Sequence, residues 1–159
     1  MPNEPKLVAS SQGKAYSVLG DRYIFKVTGE ETGGAYALFD FLILPGNGTP
    51  PHVHHREEEG FWILSGELTF YLGIDSDRVV ARAGDYIHAP RDIPHFFMNE
   101  GKEPVKALCL VTPAGLEKFF ELVGTPLPGP DSQPLPLNHA VDLPKVMANA
   151  SKFGLEIFG

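Results

Sequence analysis

The chain has 159 residues, 43% of them apolar, and a formal charge of -7 at pH 7. This length suits one domain with a sufficient core, no apolar run approaches the ~20 residues of a membrane span, and an acidic balance without a basic run argues against nucleic-acid binding. The opening Met1-Pro2-Asn3-Glu4-Pro5-Lys6 lacks the basic and apolar regions of a secretory leader, so a cytoplasmic protein with small-molecule partners and no membrane partner is expected.

After an N-terminal arm over residues 1–13, residues 14–113 hold short segments rich in Tyr, Phe, Val, Ile and Leu, separated by Gly, Pro, Asn and Asp. This pattern predicts an all-β sandwich or barrel. Candidate strands cover residues 15–19, 22–27, 36–44, 52–54, 59–64, 67–72, 79–81, 86–89, 95–99 and 105–111. The first of these is expected at a sheet edge. Side chains of a strand alternate between faces, so Phe39, Phe41 and Ile43 form a wholly apolar inner row while Asp40 points out. By the same parity Glu59, Phe61 and Ile63 share one face, His95, Phe97 and Asn99 share another, and Trp62 points outward, where it needs cover from another segment or subunit. Cys109 lies in an apolar run and reads as a small packed hydrophobe.

Beyond the barrel, residues 114–159 form a C-terminal extension. Leu116, Phe119, Phe120 and Val123 recur at helical spacing, with Gly124 as the stop. Residues 125–138 contain five prolines and one glycine and read as an extended connector. A second short helix follows, with Asp142 as N-cap, Pro144 in the first turn, an apolar stripe of Leu143, Val146, Met147 and Ala150, and Gly154 at its end.

The chemistry concentrates at His52-Val53-His54. Residues two apart on a strand project from one face, about 7 Å apart, so both imidazoles reach one point. Glu59 heads the next strand, where its carboxylate can look back toward them. His55 points the other way, as a solvated or second-shell group, and Glu57 and Glu58 read as part of a solvated acidic turn with Arg56. Glu58 is the natural competitor of Glu59. Tyr86 and His88 share a face that either lines the pocket with Phe61 and Phe97 or merely packs.

Gly46, His52, His54, Glu59 and Gly66 match every fixed position of the first cupin motif, and Gly84, Pro90, His95 and Asn99 match the second, in which Asp92 replaces one glycine. Asp tolerates left-handed backbone better than most residues, so the turn is expected to survive. The chain therefore resembles a small single-domain cupin over roughly residues 14–113. The resemblance implies a jelly-roll, or double-stranded β-helix, barrel, to which the two C-terminal helices read from spacing are appended. It also implies four metal ligands, His52, His54, Glu59 and His95. Three imidazoles and a carboxylate suit a divalent transition ion, with iron, manganese, nickel, cobalt, copper and zinc all admissible, and octahedral geometry leaves two positions open.

The runs Val18-Leu19-Gly20-Asp21-Arg22-Tyr23, Pro50 to Glu57, and Phe153-Gly154-Leu155-Glu156-Ile157 further resemble bacterial monocupins similar to quercetin 2,3-dioxygenases. This likeness implies a metal-dependent dioxygenase acting on a flavonol-like or other enolisable aromatic compound, with dioxygen as cosubstrate, Glu59 as both ligand and base, and Phe61 and Phe97 holding the ring. A metal-containing cupin that binds a small metabolite without oxidising it is the alternative. A homodimer is expected from the family and from the outward Trp62.

Overall fold

The computed structural model describes residues 4–158. Residues 1–3 of the expected N-terminal arm and leader-free start, and residue 159 of the extension, lie outside the described residues. In chain order the elements are β1 (Lys14–Val18), β2 (Asp21–Val27), α1 (Gly29–Thr32), β3 (Ala37–Ile43), β4 (His52–His54), β5 (Glu58–Ser65), β6 (Glu67–Leu72), β7 (Asp77–Arg82), β8 (Tyr86–Ala89), β9 (His95–Met98), β10 (Val105–Thr112), α2 (Leu116–Val123), β11 (Thr125–Pro126), α3 (His139–Asn149) and β12 (Leu155–Ile157). A single 3-10 turn, Ala150–Phe153, joins α3 to β12.

The strands form two antiparallel sheets, one of seven strands in the order β11-β1-β2-β3-β10-β5-β8 and one of five in the order β12-β4-β9-β6-β7. Their inner faces close on one core. β3 shows why: Ala37, Phe39, Phe41 and Ile43 are buried while the residues between them are not, as period-two alternation requires. Register then aligns the inner rows across strands, with Cys109 of β10 opposite both Phe39 of β3 and Phe61 of β5. The architecture is the all-β jelly roll expected from the alternation and the motifs. No helix among the described residues is long and apolar enough to cross a membrane.

The C-terminal extension closes the barrel. Helix α2 buries Leu116, Phe119, Phe120 and Val123, and the Phe120 ring stands edge-on to Tyr23 and Phe39 with centroids 4.8 and 5.1 Å away. Removing such a ring costs about 3–5 kcal/mol. Glu117 on the same helix is also buried, and accepts from the amides of Gly29 and Gly115, each at 2.6 Å. Both carboxylate oxygens are thereby paired, which offsets the cost of taking them out of water.

Three local expectations are corrected. β1 is not a free edge, because the start of the proline-rich connector adds β11 to it, with Tyr16 opposite Pro126, and Ser17 then bonds the backbone of Leu135. The second helix begins one turn early, at His139. Asp142 is therefore inside it, where its Oδ2 accepts from the Asn138 amide at 2.7 Å and pins the helix start from within. Of the expected stripe, Val146 and Ala150 are buried but Met147 is half exposed. The short α1 was not anticipated; its signal was the run Thr28-Gly29-Glu30-Glu31, a capping box in which the Glu31 side chain accepts from the Thr28 amide.

Asp21, at the start of β2, is buried with its Oδ1 accepting from the Leu44 amide at 3.0 Å and from Asn47 Nδ2 at 2.9 Å. Burial outweighs these bonds and raises its pKa from 3.8 to about 7. The folded state thus holds the proton more tightly than the unfolded chain. Asp21 contributes most below its unfolded pKa, and that contribution is lost as pH rises through about 7, a span worth about 4 kcal/mol. Denaturation of the parent and of Asp21→Asn should show the parent losing stability relative to the variant between about pH 4 and pH 8. A constant difference across that range would contradict the assignment.

Candidate metal centre

Three imidazoles come from the five-stranded sheet and one carboxylate from the seven-stranded sheet. β4 and β9 pair with His52 directly opposite His95, and alternation along β4 turns His54 to the same side as His52. Glu59 reaches them from β5, the second residue of the strand, with Val111 and Ala89 as its cross-strand neighbours. All four side chains are buried, and one ligand atom of each lies within 4.8 Å of the others. Gly46 and Gly66, which bracket the first motif, adopt φ of +83° and +82°, a region that favours glycine. Asp92 adopts φ of +67°, so the turn expected at that replaced glycine is kept.

The hydrogen bonds orient each ring. Glu59 Oε1 accepts from His54 Nε2 at 2.8 Å and from His95 Nε2 at 2.9 Å, near the ~3 Å that separates adjacent ligands of an ion held at about 2.1 Å. His52 donates from Nδ1 to the Pro50 carbonyl at 2.8 Å, leaving Nε2 for the site. His54 Nδ1 lies 2.6 Å from Glu57 Oε1. His95 Nδ1 is buried without a hydrogen-bond partner among the described residues. Glu59 Oε2 faces the Cys109 thiol, whose Sγ lies 3.6 Å away. Burial, together with the nearby Glu59, holds that thiol well above its ordinary pKa, so it stays a neutral donor.

The same contacts divide the titration of the site. Burial depresses His52 to about 3, helped by the neighbouring His95 and His54. Burial would depress His54 as well, but the Glu59 charge and hydrogen bonds to Glu57 and Glu59 raise it to about 10. Burial opposes ionisation of Glu59, yet His54 and His95 hold it well below the usual carboxylate range. With an ion in place of the protons that His54 and His95 share with Glu59, the cluster would offer a carboxylate and converging ring nitrogens in a dry setting. That donor set fits a divalent transition ion, whereas calcium and magnesium prefer oxygen ligands.

A cavity of about 60 Å³ opens beside His52, His54 and Glu59. Phe61, Phe97, Tyr23 and Phe41 wall it from the barrel, and Phe119, Phe120, Val146, Leu155 and Ile157 close it from the C-terminal extension. The polar groups thus sit at the floor of an apolar chamber.

Of the candidate pocket residues, Phe61 and Phe97 line this chamber, while Tyr86 and His88 do not join it. β8 pairs with β5 so that Ile87 opposes Phe61 and Ala89 opposes Glu59; the alternate row, Tyr86 and His88, faces outward. Tyr86 is 54% exposed and lays its ring over Gly60, which has no side chain to obstruct it. Glu57 also departs from expectation. It is 3% exposed rather than solvated, because the turn after His55 folds it back under His54. Glu58 is the partly exposed neighbour, and Glu59 occupies the site. His55 points away as expected, bridging Asp92 Oδ1 at 2.7 Å and Glu156 Oε2 at 3.0 Å, and so ties β12 to the turn before β9. Tyr23, Leu155 and Ile157 were missed as lining residues. Period-two spacing of Leu155 and Ile157 was their only local signal.

Comparison with known proteins agrees with this geometry. A family model described as a cupin domain matches residues 39–111. The quercetin 2,3-dioxygenase of Bacillus subtilis is 26% identical over 131 residues, covering 79% of this chain and 37% of that protein. The chain spans 37% and 60% of the length of the first two curated relatives it matches. Among solved structures, a predicted oxalate decarboxylase from Thermotoga maritima superposes with a TM-score of 0.62 at 21% identity, covering 67% of this chain and 98% of that one. The polyketide cyclase RemF from Streptomyces resistomycificus gives 0.60 at 19% identity and covers 90% of this chain and 96% of its own. With both motifs in place on a two-sheet jelly roll and its central strands matched by the cupin-domain model, the chain has the cupin fold.

Proposed function

We propose that the chain is a metal-dependent dioxygenase of an enolisable small molecule, of the kind whose oxygen pair chelates an ion as a flavonol does. The observation that supports it is the convergence of His52, His54, Glu59 and His95, the first three of which line the floor of an apolar chamber. These four side chains would hold the ion, which supplies Lewis acidity toward the substrate oxygens and, for a redox-active metal, a path for electrons to dioxygen. Glu59 Oε1 is turned to the imidazoles, so Oε2, beside the Cys109 thiol, is the oxygen left to take the enol proton. Phe61 and Phe97 flank the bound ring, and the apolar wall excludes water from it. The distant likeness to quercetin 2,3-dioxygenase is consistent with this chemistry.

The chamber constrains the substrate. At about 60 Å³ it is smaller than the ~150 Å³ cavity that holds benzene, so a ring enters only as the wall gives. The wall most able to give is α3 and β12: α3 buries Val146 alone among its own residues, and β12 is held by three residue pairs to β4. The same small chamber favours the second reading, a metal-containing cupin that binds a small metabolite without oxidising it. A second copy of the chain is the occupant we assign to the outward face of the seven-stranded sheet, where Trp62, Leu64, Tyr86 and Leu110 are exposed together.

Two measurements check these assignments. Protein loaded with iron, manganese, nickel, cobalt or copper should consume dioxygen when mixed with a member of a panel of flavonols and 1,3-diketones, and Glu59→Gln should lower turnover by about 100-fold or more. An absorbance shift without oxygen uptake would favour the non-oxidising reading, and full turnover by Glu59→Gln would remove Glu59 as the base. Sedimentation at micromolar concentration should give a dimer that Trp62→Glu dissociates; a clean parental monomer would contradict the assigned interface.

A further inference from the structure

The three imidazoles of the cluster differ in what stands behind them. His52 Nδ1 has a neutral backbone carbonyl, that of Pro50, at 2.8 Å. His95 Nδ1 is buried and has no partner among the described residues. His54 Nδ1 has a carboxylate, Glu57 Oε1, at 2.6 Å. Glu57 is itself 3% exposed, in a turn flanked by the exposed His55 and Arg56 and the partly exposed Glu58. A short acidic turn at a surface has every opportunity to leave its carboxylates in water. Burying this one costs desolvation, which its hydrogen bond with His54 Nδ1 offsets.

We propose that Glu57 is a positioning residue for the metal: it accepts the Nδ1–H of His54, fixes that tautomer, and so aims the Nε2 lone pair at the ion. The proposal rests on the metal reading above. A carboxylate behind a ligating imidazole raises the basicity of its coordinating nitrogen and holds the ring in plane. His54 then becomes the anchoring ligand of the set. Glu57 also adds a second buried acidic side chain beside a site that faces an apolar chamber.

The test is titration of the metal-free full chain with Co(II), followed by its visible d–d absorption and by calorimetry, for the parent, Glu57→Ala and Glu57→Gln. The proposal expects Glu57→Ala to bind Co(II) 10- to 100-fold more weakly, on the order seen when such outer partners are removed, and to shift the d–d bands. Glu57→Gln keeps an acceptor for Nδ1–H without the charge, and should recover part of the affinity. Glu57→Ala binding within twofold of the parent, with an unchanged spectrum, would overturn the proposal. If Glu57→Ala does not fold, Glu57→Gln decides alone: weaker binding with shifted bands supports the role, and parental affinity with parental bands overturns it. A parent that binds no Co(II) would instead remove the metal reading on which the proposal stands.

Discussion

One carboxylate oxygen, Glu59 Oε1, is shared by imidazoles that arrive from the opposite sheet, His54 at 2.8 Å and His95 at 2.9 Å. A charge buried to this depth is tolerated only when its partners are fixed, so the two sheets must hold their spacing and register at this point. The register does that through neighbours on every side. Val111 and Ala89 flank Glu59 across the seven-stranded sheet, and His52 faces His95 across the five-stranded one. The jelly roll thus delivers four polar side chains to a position that its alternation would otherwise fill with Phe, Ile and Leu.

The C-terminal extension turns that cluster into a chamber. Without α2, α3 and β12, the side chains of Tyr23, Phe41, Phe61 and Phe97 would open to solvent at the barrel mouth. With them, the cavity is about 60 Å³ and its walls above His52, His54 and Glu59 are mostly apolar. The closure is unequal. Helix α2 is bound into the core through Phe119 and Phe120, whereas β12 depends on a short pairing with β4 and on His55 between Asp92 and Glu156. The α3–β12 side, next to His52 and His54, is therefore the less firmly held wall.

The sequence made much of this legible, for reasons that differ by residue. His52, His54, Glu59 and His95 stand at motif spacing on strands, and period-two geometry leaves little freedom in where such side chains point. Phe39, Phe41 and Ile43 were readable for the same reason. Tyr86 and His88 were not, because a four-residue strand with Tyr and His on one face and Ile and Ala on the other gives no clear inner row; its register against Trp62 and Gly60 decides the matter. Glu57 was misread because acidic turns are usually solvated, and its burial depends on a tertiary contact with His54 that local pattern does not encode. The same holds for β11 and β12, two and three residues long, which are strands only because β1 and β4 offer them an edge.

The most direct test is the metal content of protein purified without an affinity tag or added metal, measured by elemental analysis. The account predicts close to one iron, manganese, nickel, cobalt, copper or zinc per chain, and its loss in His54→Ala and His95→Ala variants that remain folded. A folded parental protein that carries no metal and takes up none of these ions when they are supplied would contradict it.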